Sequence, residues 1–187
     1  MGTTTYHTKE KIEINETLVS YMDVSCENMV KFFLDSPELN TLKTLRKYGL
    51  DNNCIIPNHE EKLRVPSHVT WLNMPAIGGL RKLEPFSVGW MWLDYCGHID
   101  GNKSKLQFPK KDIEYAFKNQ VFADQSVFAV TLCRRSINSR KNKKEYTETC
   151  NFIFKTAQKY GYDLEFLTGA FYKKQKNMYY IAYRILR

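Results

Sequence analysis

Short apolar runs alternate along the chain with segments in which apolar residues recur at helical spacing. This alternation is typical of α/β folds, in which a parallel sheet is covered by helices on both faces. The runs that predict strands are Met29–Leu34, Cys54–Ile56, Val69–Leu72, Val88–Leu93, Ser126–Leu132, Leu164–Leu167 and Met178–Leu186. We therefore predict an α/β three-layer sandwich with a mostly parallel sheet.

Helical spacing predicts three helices between these runs. The first begins at Ser36, a favoured N-cap residue, and Pro37, a favoured first helical residue. It ends at Gly49, because glycine is common just after the last helical turn. The second helix begins at Pro109 and the third ends near Gly161.

Two stretches of the chain have no helical pattern. The segment between the second and third runs is too short for an ordinary crossover helix, and Gly78-Gly79 beyond it predicts a loop. The segment before Met178 contains several lysines and no helical spacing, so the last two strands are predicted to form an antiparallel hairpin.

The domain organisation follows from what separates these elements. Residues 1–16 are polar and predict an N-terminal arm. Because no linker rich in proline, glycine or serine divides the rest, we predict a single domain over residues 17–187.

Charge adds a prediction about partners. The chain has 28 lysines and arginines against 20 acidic residues, a net charge of +8, which favours nucleic acid as a partner. A protein partner or a homo-oligomer is also compatible with the sequence. No apolar run is long enough to span a bilayer, and the polar start lacks the apolar segment of a secretory signal.

Cysteine usage indicates the compartment. The five cysteines are odd in number and none form a CxxC pair, which favours neither a disulfide framework nor a zinc site. We predict no metal and a reducing intracellular location, cytoplasmic or nuclear.

Polar residues follow the predicted strands at the points where they end. Open α/β sheets bind ligands outside the carboxyl ends of their strands, so these residues are the candidate site. They are Asp35-Ser36-Pro37, Asn58-His59, Asn73, Asp94-Tyr95 and Arg134-Arg135.

The order of elements resembles the class I, Rossmann-like methyltransferases that use S-adenosylmethionine. The terminal pair Tyr162–Ala170 and Met178–Arg184 is similar to the hairpin that closes the family's seven-stranded sheet. The segment Trp92–Gly97 is similar to its fourth strand and the loop that faces the methyl acceptor. The loop after the first strand differs, since it contains no glycine, and Asn58 stands where the family has an acidic residue.

The resemblance implies S-adenosylmethionine as cofactor and a role for each polar strand end. Asp94 and Tyr95 are the implied catalytic pair, with Asp94 orienting or deprotonating the acceptor and Tyr95 stacking on a base. Asn58 is implied for the ribose and Asn73 for the adenine edge, and His59 next to Asn58 is implied as a further cofactor-binding residue. The first loop, facing the methionine part, is implied to contain Asp35, Ser36, Pro37, Asn40 and Thr41.

A basic segment follows the fifth predicted strand. Six cations within it are interrupted by no acidic residue, and we predict that they bind phosphates. They are Arg134, Arg135, Arg140, Lys141, Lys143 and Lys144.

Three functions are compatible with these patterns. The first is methyl transfer to RNA or DNA. The second is a non-catalytic methyltransferase-like module that binds nucleic acid, which the missing glycines favour. The third is a metal-dependent nuclease in which Asp94 and either Asp163 or Glu165 bind the ion.

Overall fold

Seven strands form one sheet, with the order β3-β2-β1-β4-β5-β7-β6. A computed structural model describes residues 9–59, 63–101, 103, 106–133, 139–172 and 178–187. The strands are β1 (Val30–Phe33), β2 (Cys54–Pro57), β3 (Thr70–Leu72), β4 (Val88–Asp94), β5 (Phe122–Cys133), β6 (Asp163–Tyr172) and β7 (Met178–Leu186). Strands β1 to β5 are parallel and β7 is antiparallel to both of its neighbours, which confirms the predicted sheet and hairpin.

Helices cover both faces of the sheet. They are α1 (Lys9–Ser20), α2 (Asn40–Lys47), α3 (Ala76–Leu80), α4 (Pro109–Lys118) and α5 (Ser139–Lys159), with a short 3-10 helix at Val24–Cys26. Along β4, Trp90 and Trp92 pack with α1 and α2, whereas Met91 and Leu93 pack with α3, α4 and α5. A strand buried on both faces is apolar throughout, and this is why β4 reads as an unbroken apolar run. The three-layer sandwich is confirmed.

Helix α1 includes the second half of the predicted N-terminal arm. Residues 9–16 belong to this helix, and residues 1–8 lie outside the described part of the chain. Leu18 and Ile14 are buried on one helix face, and the Trp90 indole donates a hydrogen bond to the Leu18 carbonyl at 3.1 Å. The segment is polar overall, but Ile14 and Leu18 form a narrow apolar stripe at i, i+4 spacing, which is enough to pack the helix against the sheet.

The Gly78-Gly79 pair lies in α3 and not in a loop, contrary to the prediction. A Cβ on Gly79 would lie 3.0 Å from the Phe32 ring and 3.1 Å from Pro57 Cβ. The glycine is therefore used for close packing of α3 on β1 and β2, and this packing outweighs its poor helix propensity. None of the described helices is long and apolar enough to cross a membrane.

The order in which strands are added to the sheet reverses between β1 and β4, although the two strands are parallel. Strand β1 pairs with β2 on one side and with β4 on the other, so the connections after β1 and β4 leave in opposite directions. Such a switch point opens a crevice beyond the ends of the strands. We call the end of the sheet at which β1 to β5 terminate the carboxyl end. Asp35, just after β1, and Asp94, the last residue of β4, lie at this same end, as predicted.

We expect Leu18→Ala to lower the free energy of unfolding by about 2–5 kcal/mol, because it empties a fully buried position between α1 and the sheet. Ile12→Ala removes a 43% exposed side chain from the same helix and should change stability by less than about 0.5 kcal/mol. Denaturant unfolding of both variants checks this. Equal losses would mean that α1 is not part of the cooperative core.

Candidate active site

A cavity of about 120 Å³ opens at the carboxyl end of the sheet, over β1, β2 and β4. Several elements contribute to its walls, including α1 and the starts of α3 and α4. Its lining consists of Lys11, Leu34, Asp35, Ser36, Pro37, Pro57, Asn58, His59, Pro75, Ala76, Asp94, Tyr95, Cys96, Leu106, Gln107 and Asp112. The structure therefore brings most of the predicted strand-end residues into one place.

Asp94 is paired with a lysine that sequence analysis missed. The Lys11 ammonium on α1 donates to the Asp94 carboxylate, and the two side chains are only 13% and 8% exposed. Burial on its own would lower the pKa of Lys11, but attraction to Asp94 outweighs it, and nearby Asp35 adds to the effect, so the pKa is raised. The lysine was overlooked because its segment was assigned to an arm. The spacing of Ile14 and Leu18 is the signal that predicts a helix there.

Asp35 fixes the loop between β1 and α2. One carboxylate oxygen accepts a hydrogen bond from the Ser36 N–H and the other from the Leu42 N–H, both at 3.0 Å. The helix begins at Asn40, so Ser36 is not its N-cap and Pro37 is not its first residue. Burial raises the pKa of Asp35 to about 7, although the Leu42 N–H and Lys11 both favour the ionised form. The start of α2, expected to face a ligand carboxylate, already has a carboxylate of the protein.

The same loop turns without glycine by placing Leu39 in the left-handed region, with φ at 53°. A non-glycine residue in this conformation costs roughly 1–2 kcal/mol. Asn40 and Thr41, predicted to line the loop, are instead buried on α2, where Thr41 Oγ1 donates to Asn15 Oδ1 at 3.4 Å. The helix starts three residues later than predicted, at Asn40 in place of Pro37, so these two residues belong to its first turn and not to the loop. Ser36 and Pro37 do line the cavity.

At the end of β2, Asn58 connects the loop after β1 to strand β3 through two hydrogen bonds. Its side-chain amide donates to the Asp35 carbonyl at 3.0 Å, and its own carbonyl accepts from the Trp71 indole at 3.2 Å. His59 beside it lines the cavity, and its role in cofactor binding stays a prediction. Asn73, predicted to reach the adenine, is exposed and lies outside the cavity lining.

Tyr95 does not present its ring to a ligand, contrary to the prediction of stacking. The side chain is 1% exposed and packs in the core on the α4 face of the sheet. Its hydroxyl donates to Asp112 Oδ2 at 2.5 Å. Burial raises the pKa of Asp112 to about 6, partly offset by this hydrogen bond. An aromatic residue after a strand end can equally point into the core, and sequence does not specify which.

Three buried polar atoms of the lining have no hydrogen-bond partner among the described residues: Ser36 Oγ, Gln107 Oε1 and Asp112 Oδ1. A buried polar atom without a partner costs roughly 1–3 kcal/mol. Several such atoms around one cavity therefore indicate a place where a ligand or water completes the hydrogen bonds. Gln107 carried no signal in the sequence, and Asp112 was expected only near a helix start.

The basic segment begins at the carboxyl end of the sheet, because β5 ends there at Cys133. Arg134 and Arg135 lie outside the described residues, and so do the side chains of Arg140 and Lys141. Lys143 and Lys144 are exposed on α5, and Lys144 lies 3.8 Å from Glu148. Phosphate binding by this segment stays a prediction.

The nuclease hypothesis is wrong on geometry. Asp163 begins β6, which runs parallel to β4, whereas Asp94 ends β4. Asp163 and Glu165 therefore lie towards the opposite end of the sheet from Asp94. Within the described part of the chain, no three histidine, cysteine or acidic side chains are grouped to hold a metal ion.

Comparison with known proteins gives structural neighbours only. No family model matches the chain, and no curated protein matches it. Trm1 from Pyrococcus horikoshii, solved with S-adenosyl-L-methionine, superposes with a TM-score of 0.60 at 10% identity over 97% of this chain and 56% of Trm1.

Two further neighbours have the same architecture. A fibrillarin/Nop5p complex matches with a TM-score of 0.57 at 12% identity, over 84% of this chain and 72% of that one. Phosphoethanolamine N-methyltransferase 2 from Haemonchus contortus matches with a TM-score of 0.57 at 9% identity, over 94% of this chain and 53% of that protein. The chain thus spans roughly half to three quarters of the length of these proteins. At such identities the likeness shows the fold, which is that of the class I, Rossmann-like S-adenosylmethionine-dependent methyltransferases.

Proposed function

We propose that the chain binds S-adenosylmethionine in this cavity and transfers its methyl group to an acceptor beside Asp94. One observation carries the proposal. The cavity lies at the switch point between β1 and β4 and is lined by buried polar atoms that lack protein partners. In open α/β sheets this is the place where ligands bind.

The charges around the cavity fit this cofactor. Its described lining includes three carboxyl groups, Asp35, Asp94 and Asp112, and one lysine, Lys11. S-adenosylmethionine has a sulfonium and an ammonium group against one carboxylate, so its net charge is positive. A site with an excess of carboxyl groups is complementary to it.

Lys11 is the residue we assign to the methionine carboxylate. Asp35 already occupies the first turn of α2 through the Leu42 N–H, so the helix start is not an open anion site. Lys11 is a buried cation, bound to Asp94 and close to Asp35. The carboxylate of a zwitterionic ligand would pair with Lys11, and its ammonium group would pair with Asp35 and Asp94. Each charged group would then have neighbours of opposite charge.

Asp94 and His59 have separate roles in the proposal. When bound, the cofactor supplies a methyl group activated by a sulfonium. Asp94, held in place by Lys11, orients the acceptor nucleophile and takes up its proton. His59 at the end of β2 contacts the ribose hydroxyls. Alignment of the nucleophile does most of the catalytic work in such a displacement.

For the acceptor we propose nucleic acid. The net charge of +8 and the exposed Lys143 and Lys144 near the carboxyl end of the sheet support this. Lys110, in the first turn of α4, is paired with Asp100 and adds less to the positive surface.

A non-catalytic module that binds nucleic acid is the second candidate. The bond between Lys11 and Asp94 favours it, because this pair satisfies the catalytic carboxylate without any ligand. The glycine-free loop closed by Asp35 favours it as well. Cofactor titration separates the two candidates.

We expect Lys11→Met to weaken S-adenosylhomocysteine binding by roughly 10- to 100-fold, the range for a lost charge-assisted hydrogen bond. Binding of 5′-methylthioadenosine, which lacks the amino acid part, should change less than about threefold, because Lys11 is assigned to the carboxylate alone. Isothermal titration calorimetry measures both. Lys9→Met is the matched control, since Lys9 lies on the same helix with its side chain 92% exposed.

Removing Lys11 leaves Asp94 buried without its partner, so folding is checked by circular dichroism, and Lys11→Arg provides a variant that keeps the charge. Equal losses for both ligands would contradict the carboxylate assignment. A wild-type protein that binds neither ligand at millimolar concentration would favour the non-catalytic module.

We expect the double variant Lys143→Ala/Lys144→Ala to flatten the log–log salt dependence of nucleic-acid binding. Two lost phosphate contacts correspond to about 1.8 units of slope for duplex DNA and about 1.4 for single strands. Lys118→Ala/Lys155→Ala is the control, because these lysines are exposed on α4 and α5 away from the helix starts. Fluorescence anisotropy at several salt concentrations provides the slopes. Identical slopes in all three proteins would exclude this surface as the phosphate-binding one.

A further inference from the structure

The α4 side of the cavity presents hydrogen-bond acceptors without a donor opposite them. Asp112 is 2% exposed, and its Oδ2 is satisfied by the Tyr95 hydroxyl at 2.5 Å, whereas its Oδ1 has no partner among the described residues. Gln107 Oε1 is also buried and has no hydrogen-bond partner among the described residues. Both residues line the cavity, so this corner is suited to a ligand group that donates hydrogen bonds.

The walls of this corner are apolar and contain small or rigid side chains. Pro57 ends β2, Pro75 and Ala76 begin α3, and Leu106 precedes α4. Helices α3 and α4 pack against each other below it. Walls of this kind with a few convergent polar atoms are typical of a site for a flat ring with a polar edge.

We propose that Asp112 reads the purine base of the cofactor, accepting a hydrogen bond from the exocyclic amine of adenine. This inference rests on the proposed function and adds to it the residue that selects the base. It also moves the adenine site from exposed Asn73 to the corner between α3 and α4.

The selectivity follows from the hydrogen-bonding groups. An ionised carboxylate only accepts hydrogen bonds, and Tyr95 fixes which oxygen of Asp112 is left for the ligand. A 6-aminopurine donates to that oxygen. A 6-oxopurine places an acceptor at that position, and two buried acceptors that face each other both stay unpaired. Its N1–H donor lies on the neighbouring ring atom and reaches Asp112 only if the base shifts in the site. Sites built to bind a donor reject analogues that lack it strongly.

The test compares S-adenosylhomocysteine with S-inosylhomocysteine, in which a 6-oxo acceptor replaces the 6-amino donor and an N1–H donor replaces the N1 acceptor. Isothermal titration calorimetry on the wild-type chain should show at least about tenfold tighter binding of the amino compound. Asp112→Asn keeps an oxygen for the Tyr95 hydroxyl and turns its amide hydrogens toward the cavity. The preference should then disappear or reverse.

Asp100→Asn is the matched control. It makes the same chemical change at a carboxylate in the connection that leads from β4 to α4, which pairs with Lys110 and lies outside the cavity lining. Its preference for the amino compound should equal that of the wild type. Gln107→Leu is a second variant, expected to reduce the preference about threefold by removing the other acceptor.

The possible outcomes separate this inference from the proposed function. A wild type that binds S-adenosylhomocysteine but does not distinguish it from the inosyl compound overturns the role of Asp112 and leaves the proposed function standing. The same holds if Asp112→Asn weakens both ligands equally. If that variant does not fold, the wild-type ratio and Gln107→Leu decide. A wild type that binds neither ligand overturns both proposals.

Discussion

The ion pair between Lys11 and Asp94 joins the first described helix to the centre of the sheet. Both groups are almost fully removed from water, and neither is stable there without the other, because an unpaired buried charge costs several kcal/mol. The pair therefore couples the docking of α1 to the charge balance of the Asp94 carboxylate at the end of β4. The Lys11 ammonium also lies 6.0 Å from the centre of the Trp92 ring, which holds it on this side of the sheet. This contact fixes the cavity end of α1, whereas the apolar stripe and the hydrogen bonds at Asn15 and Leu18 hold the rest of the helix.

The loop after β1 shows how the chain keeps a familiar geometry with different chemistry. A glycine-rich loop lets backbone and cofactor approach closely. Here a strained leucine makes the turn and Asp35 closes it by capping α2. The consequence is electrostatic: the N–H groups at the start of α2 are taken up by Asp35, and Lys11 is the one lysine among the described residues that line the cavity. Asp35 itself has a pKa raised to about 7, so near neutral pH the loop exchanges a proton readily.

The sequence predicts the strands and the end of the sheet at which the site lies, but not the direction of the side chains there. Strand runs and the rule for parallel crossovers are local properties, and they place Asp35, Asn58 and Asp94 correctly. Whether Tyr95 points into the cavity or the core depends on its hydrogen bond to Asp112, a residue 17 positions further along the chain that spacing does not identify as its partner. The positions of Asn40, Thr41 and Asn73 relative to the cavity also depend on tertiary contacts that spacing does not predict. Lys11 was missed because overall polarity masked an apolar stripe only a few residues wide. Tertiary packing decided each of these cases.

The position of β7 has a consequence for how the chain is made. This strand is the last along the chain, yet it lies between β5 and β6 and pairs with both over most of its length. Until it leaves the ribosome, β5 has one open side, and β6 has no neighbour to join. Open strand sides are the places where partly made chains associate with one another. The sheet is therefore completed late, when β7 forms a local hairpin with β6 and a long-range pairing with β5.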